Sequence, residues 1–297
     1  MESRGMRIDH PDAAEALSAV NYYRLSGYSY PFRKTGEQGT KGSDFLPGTS
    51  LSRVLELYDF DRKLRTVVFD ALAPIEVSLR TALGHELAKI DPEIHLQPRL
   101  LGTLAQVKQR GGTILGSHEY NRWINRYKDS VDDSREEFVE HHRNCYNGVL
   151  PIWVAVEVLD WGGLSRLYKL APRNVQDAVA QPWGLSAPQL TTWLRSLNIV
   201  RNICAHHGRL FNRNIAVARV KMPYVGMHPD LDAAGPYDAR LFGNLSLIQY
   251  LRVKQGHGVS RPLIALMATF KPCQIVQWES LGVADPAVIG TIDLWRR

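Results

Sequence analysis

The sequence has three cysteines among its 297 residues, Cys145, Cys204 and Cys273. They are scattered and odd in number, which argues against a disulfide framework and fits a reducing compartment. No apolar run reaches the ~18 residues that a membrane helix needs. The start, MESRGMRIDHPDAAEALSAV, holds no apolar stretch of signal-peptide type. The expectation is a cytoplasmic protein with no membrane partner. There is no C-x-x-C and no H-E-x-x-H, so two common zinc patterns are missing. There is no G-x-S-x-G, so no serine nucleophile elbow. The glycine-rich stretch RKTGEQGTKGSDFLPGTS (33–50) lacks the G-x4-G-K-S/T spacing, and no clear apolar strand leads into it. That removes a phosphate-binding P-loop. Internal repeats, low-complexity tracts and long linkers are also missing, as is any succession of strands that would build a large sheet.

What is there is ordinary in amount and uneven in kind. Hydrophobic residues make up 44%, ample for a core, and charged residues 22%, usual for a globular protein. One domain spanning residues 1–297 is the expectation. The formal net charge of +6 favours polyanionic partners such as nucleic acid.

The periodicity is mostly helical, and the fold class expected is all-α. Asp9 and Pro11 predict the opening of a helix to about Arg24, ended by Gly27 and Pro31. Residues 33–50 read as a long exposed N-terminal loop. From Leu51, apolar residues recur at three and four (Val54, Leu55, Tyr58, Leu64, Val68), and the helix continues to about Ile90. Pro74 should kink it or split it. Residues 92–115 read as loop, and helices are predicted near 117–129 and 134–144. A helix IWVAVEVLDW begins at Pro151, breaks at Gly162–Gly163 and resumes as LSRLYKL. Ser186 and Gln189 form a capping box with Pro188 in the first turn, opening a further helix. NIAVARVKMPYV (214–225) reads as a short strand or irregular chain. Helices are predicted near 240–251, 261–270 and 272–281.

The capping-box helix ends in LNIVRNICAHHGRLFNR (197–213). Leu190, Trp193, Leu194, Leu197 and Val200 form its apolar stripe. Arg201 lies about 40° from Leu197 round the helix, at the stripe's edge. Asn202 and His206 are four apart and share a face. Arg201 and His206 are five apart and converge poorly on one regular helix. Gly208 offers an ending that would let the histidines turn. Each residue alone has a bland reading: a snorkelling arginine, a cap, a satisfied polar group. The cluster is denser than that needs. A histidine moves a proton near neutral pH, an arginine grips a phosphate in two places, and an asparagine orients either. The set suits RNA cleavage without a metal, in which a ribose 2′-hydroxyl attacks its neighbouring phosphate and leaves a cyclic phosphate.

RNICAHH contains R-N-x-x-x-H, a form of the R-x(4–6)-H motif of HEPN-superfamily ribonucleases. Four blocks, NYYRLSGYSYPFR (21–33), FDRKLRTVVFDALAPIEVSLRTAL (60–83), PIWVAVEVLDWGGLSRLY (151–168) and LNIVRNICAHHGRLFNR (197–213), resemble the Abi-like (AbiD/AbiF) abortive-infection family in order and content, over about residues 3–215. The resemblance implies a HEPN-type helical bundle with additional helices, including a helical extension over 216–297, and a toxin that cleaves RNA in phage defence. It assigns the signature to Arg201, Asn202 and His206, with His207 as the second histidine. HEPN proteins pair two motifs; one is visible here, which with the poor convergence implies a homodimer with a composite site. It also implies RNA as substrate, a small noncoding RNA as regulator, and no cofactor. Family members commonly carry a helix ahead of the SRGMRID stretch, and this sequence begins almost there.

Further candidates surround the motif. Arg24, Arg33, Arg62, Arg209 and Arg213 are candidate RNA-gripping residues. Tyr22, Tyr23, Tyr28 and Tyr30 read as packing at a helix end and turn, in preference to base stacking. RKLR (62–65) and Arg80 read as salt links or a solvated face. HHRNC (141–145) with CAHH (204–207) is the zinc rival, since His141 and Cys145 are four apart. Cys204 faces Val200 and Leu197 and reads as core. A non-cleaving RNA-binding protein that holds a structured noncoding RNA fits the same charge and aromatics.

Overall fold

The computed structural model describes residues 1–11, 13–36, 39–215, 220, 229–233 and 240–296. It is mainly helical, as expected: α1 (Ala13–Ala19), α2 (Tyr22–Ser29), α3 (Leu51–Ala88), α4 (His118–Asp133), α5 (Glu137–Cys145), α6 (Ile152–Ala155), α7 (Trp161–Leu170), α8 (Arg173–Ala180), α9 (Ala187–Ala205), α10 (Pro229–Ala233), α11 (Leu241–Lys254) and α12 (Arg261–Met267). Among the described residues, the sheets are two antiparallel hairpins, β1 (Arg33–Thr35) with β2 (Lys41–Phe45), and β3 (Gln106–Lys108) with β4 (Ile114–Gly116). Among the described residues, no helix is long and apolar enough to cross a membrane.

The 38-residue α3 is the mast of the fold, ~57 Å long at 1.5 Å per residue. It packs against α2, α6, α8, α9, α11 and α12. Its inward row, from Leu51 and Val54 through Leu64, Val68, Leu72 and Leu79 to Leu87, is buried along the whole length. Pro74 does not split it. Packing on several sides holds the helix through the missing N–H, and Arg252 of α11 donates to the Ala71 carbonyl beside the gap (3.2 Å). At Gly84 the mast meets α6 so closely that a Cβ would lie 3.1 Å from a Val156 methyl and 3.3 Å from the Trp153 Cα. Leu241 to Leu251 of α11 are buried on every face, as a helix at the centre of a core must be. A buried hydrogen bond from the Ser196 hydroxyl to Asn244 Oδ1 (2.6 Å) joins α11 to α9.

Several boundaries differ from the sequence reading. The helix expected from Asp9 to Arg24 is two helices. Asn21 starts the second by accepting from the Tyr23 N–H (2.8 Å), and Gly27 sits inside α2 rather than ending it. The expected loop at 33–50 contains the β1–β2 hairpin, whose Phe45 is buried. Residues 92–115 hold short 3-10 turns, β3 and the start of β4. The break after α6 falls at Leu159–Asp160. Asp160 caps α7 through the Gly163 N–H (2.6 Å), so Gly162 and Gly163 open a helix rather than break one. Helix α8, whose buried face is only Val175, Val179 and Ala180, was too short a pattern to be read from sequence. The helix expected at 272–281 is only a 3-10 turn, Trp278–Leu281. The reading of 214–225 falls almost wholly outside the described residues.

Candidate functional site

Helix α9 begins as its sequence dictates. The Ser186 N–H donates to Gln189 Oε1 (2.8 Å), the two side chains complete the capping box, and Pro188 lies in the first turn. Leu190, Trp193, Leu194, Leu197 and Val200 are fully buried. Arg201 follows at the stripe's edge with 24% of its side chain exposed. Its guanidinium lies over the Phe69 ring of α3, 5.3 Å from the centroid. Its Nε is 3.9 Å from Glu76 Oε2, too far for a hydrogen bond, and finds no hydrogen-bond partner among the described residues. Glu76 is instead engaged by Arg80 (2.9 Å), which also reaches Glu157 (3.2 Å), so Arg80 makes the salt links expected of it. The motif arginine is thus held mainly by a ring face, with its Nε buried.

The far end of α9 closes in a Schellman pattern. His207 N–H donates to the Cys204 carbonyl (3.1 Å) and Gly208 N–H to that of Ile203 (2.8 Å). The residue in the left-handed conformation is His207, at φ 54°, not Gly208. That costs a residue with a Cβ ~1 kcal/mol or more, and neighbouring elements hold it there. Two arginines are exchanged between α2 and the loop: Arg24 donates to the His207 carbonyl (2.6 Å), and Arg209 donates to the Gly27 carbonyl (2.5 Å).

Behind them sits the fully buried Asp61 of α3. Its carboxylate accepts from the Leu210 N–H (3.2 Å), the Phe211 N–H (2.6 Å), the Tyr28 hydroxyl (2.5 Å) and Arg65 (2.5 Å). Burial pushes this carboxyl above the ordinary aspartate value, against the pull of those four donors. Burial, reinforced by the Asp61 charge, also pushes the Tyr28 hydroxyl far up, so it remains a donor. Cys204 is pushed up to about 12 by burial, which leaves an inert thiol and fits its place in the core.

An open groove of about 630 Å³ runs beside this loop. Arg24, Arg62, Arg65 and His207 line it, with Tyr58 and Phe69 among its walls. Arg65 is neutralised by Asp61, and Arg62 pairs with Asp59 (2.7 Å). Arg24 meets no carboxylate within ion-pair reach among the described residues. Of the residues singled out from sequence, the fold therefore brings Arg24, Arg62 and His207 to one groove, and Arg201 to the Phe69 ring on its wall. His206 is exposed at the helix end and Asn202 half-buried; like Arg201, neither lines the groove. Arg33 lies against Tyr30 (5.8 Å) at the hairpin, and Arg213 is exposed. Arg209 is tied to Gly27. Of the four tyrosines, only Tyr28 packs inside; Tyr22, Tyr23 and Tyr30 are exposed, Tyr23 by 85%, which corrects the packing expectation.

Sequence reasoning missed Asp61, Tyr58 and Phe69 as parts of the site. The signal for Asp61 was present: Asp61 and Arg65 are four apart in line with the buried Leu57, Leu64 and Val68, where charge needs a buried partner. In the zinc rival, His141 Nδ1 and Cys145 Sγ are 3.8 Å apart. Among the described residues, no group of three His, Cys, Asp or Glu is placed to hold a metal.

A family model described as "Abi-like protein" matches residues 15–212, from α1 through the motif to the loop held by Asp61. The chain belongs to the Abi-like family. No curated protein and no solved structure matches it. The Abi-like family is linked to abortive infection, a defence against phage. Its match includes the three helices that build the groove, α2, α3 and α9, and the loop after α9; α10, α11 and α12 lie beyond it.

Proposed function

We propose that this Abi-like protein is a HEPN-type endoribonuclease, a toxin of abortive infection that needs no metal. RNA enters the groove with its phosphates against Arg24 and Arg62. Arg201 grips the scissile phosphate through the outer nitrogens of its guanidinium, and neutralises charge that grows on the phosphoryl oxygens. The ribose 2′-hydroxyl attacks phosphorus, His206 moves the proton, and the 5′-oxygen leaves, giving a 2′,3′-cyclic phosphate. Asn202 orients the imidazole or the phosphate, and His207 contacts the strand from the groove wall. His206 points into solvent at the end of α9, so a homodimer that sets it against the partner copy's groove completes the site. A small noncoding RNA is the proposed regulator.

The observation that carries this reading is the ending of the motif helix on a cationic groove, with its arginine over a ring that lines that groove. The test compares purified wild type with His206→Ala, His207→Ala and Arg201→Ala on RNA, reading product ends for cyclic phosphate. His206→Ala and Arg201→Ala should abolish cleavage and His207→Ala should weaken it, while the proteins stay folded. Undiminished cleavage by His206→Ala rejects the mechanism. A second reading has its own support, because His206 lies outside the groove lining: the protein holds a structured noncoding RNA without cutting. RNA bound by wild type, with no cyclic-phosphate ends produced, would select it.

A further inference from the structure

Phe69 belongs to two structures at once. Its ring carries the Arg201 guanidinium at 5.3 Å, and the same residue forms part of the groove wall. It is 41% exposed, on a helix whose neighbouring apolar residues Val68 and Leu72 are buried. An exposed phenylalanine set between arginines in a concave surface is poorly explained by packing. Such grooves bind single-stranded nucleic acid by combining cations that track phosphates with ring faces on which bases stack. Tyr58 borders the same groove, eleven residues earlier on α3 and so ~16 Å away along the helix, with Arg62 and Arg65 between them. Tyr58 packs edge-on against the buried Tyr28 (5.3 Å), so Phe69 is the freer ring.

We propose that Phe69 is a stacking platform for one unpaired nucleobase, placed beside the phosphate that Arg201 holds. This rests on the RNA reading above and sharpens it. A base inside a duplex has no free face to offer, so the platform makes the groove select an unstacked nucleotide next to the scissile bond. One ring then fixes both the guanidinium and the base, which sets their separation. Phe69 is accordingly a specificity-determining residue that touches substrate and also positions Arg201.

The test is fluorescence anisotropy with a short 2′-O-methyl RNA strand, whose blocked nucleophile prevents cleavage, and an abasic strand of the same length and charge. The full chain should bind the base-bearing strand on the order of tenfold more tightly than the abasic one. Phe69→Leu should remove that ratio without changing the oligomeric state, and Phe69→Tyr should restore it. If wild type binds neither strand, the RNA reading itself fails. If it binds both equally, or if Phe69→Leu keeps the ratio, RNA binding stands and the platform is overturned. A change of oligomeric state in Phe69→Leu with the ratio intact would make the ring a contact between copies, which also overturns it.

Discussion

The two ends of α9 are built by opposite means. At the first end, Ser186, Pro188 and Gln189 satisfy the helix start among themselves, within four residues. At the last end, the closing turn has a left-handed histidine where a glycine would be easier, and the chain beyond it is held by α2 and α3 through Arg24, Gly27, Tyr28, Asp61 and Arg65. One end is local and strain-free; the other is strained and fastened over about 150 residues of sequence. Backbone held in an unfavourable conformation by its surroundings gathers where function is built.

The fastened end fails most severely at Asp61. Asp61→Ala leaves the buried Arg65 without its counter-charge and two backbone N–H groups without an acceptor. It should cost about 3–5 kcal/mol in urea unfolding. A loss under 1 kcal/mol would mean that the loop is not fastened there. Acid offers a control remote from both ends. Burial lowers the His95 imidazole to about 4, so the unfolded chain takes up the proton first as pH falls. Stability from this group is full above ~6.5 and lost toward pH 4, by up to ~3 kcal/mol. His95→Gln should flatten that slope, while Ser186→Ala should leave it unchanged. Arg209→Ala removes the half-buried bond to Gly27 and should cost about 1–2 kcal/mol, with Arg209→Lys recovering part of it. At the local end, Ser186→Ala should cost about 1 kcal/mol and leave RNA binding untouched. The smallest effect has the opposite sign. His207→Gly relieves the left-handed strain and should stabilise the fold by roughly 0.5–1 kcal/mol, while cleavage falls. A destabilised His207→Gly protein would show that the histidine side chain supports the loop rather than the groove.

The groove was legible only in part. Arg201, His206 and His207 stood out because their spacing placed polar groups at the end of an apolar stripe. Arg24 and Arg62 could be named but not placed, since nothing local fixes where α2 and α3 meet the end of α9. Phe69 looked like one more apolar residue of a long amphipathic helix, and its exposure follows from which neighbours do not cover it. The same limit explains the tyrosines of α2, read as packed and found mostly exposed.

Local residues alone specify the helices whose signals are contained within a few turns: the mast begun at Leu51, the capping box of α9, its buried stripe, and the motif at its end. Hydrophobic period and caps act over three or four residues, so they can be read locally. Packing between distant segments is what carries α3 through Pro74, gives His207 rather than Gly208 the left-handed turn, and sets a buried aspartate to hold the loop beside a cationic groove. Those outcomes depend on contacts between residues far apart in the chain, whose energies exist only once the helices are packed.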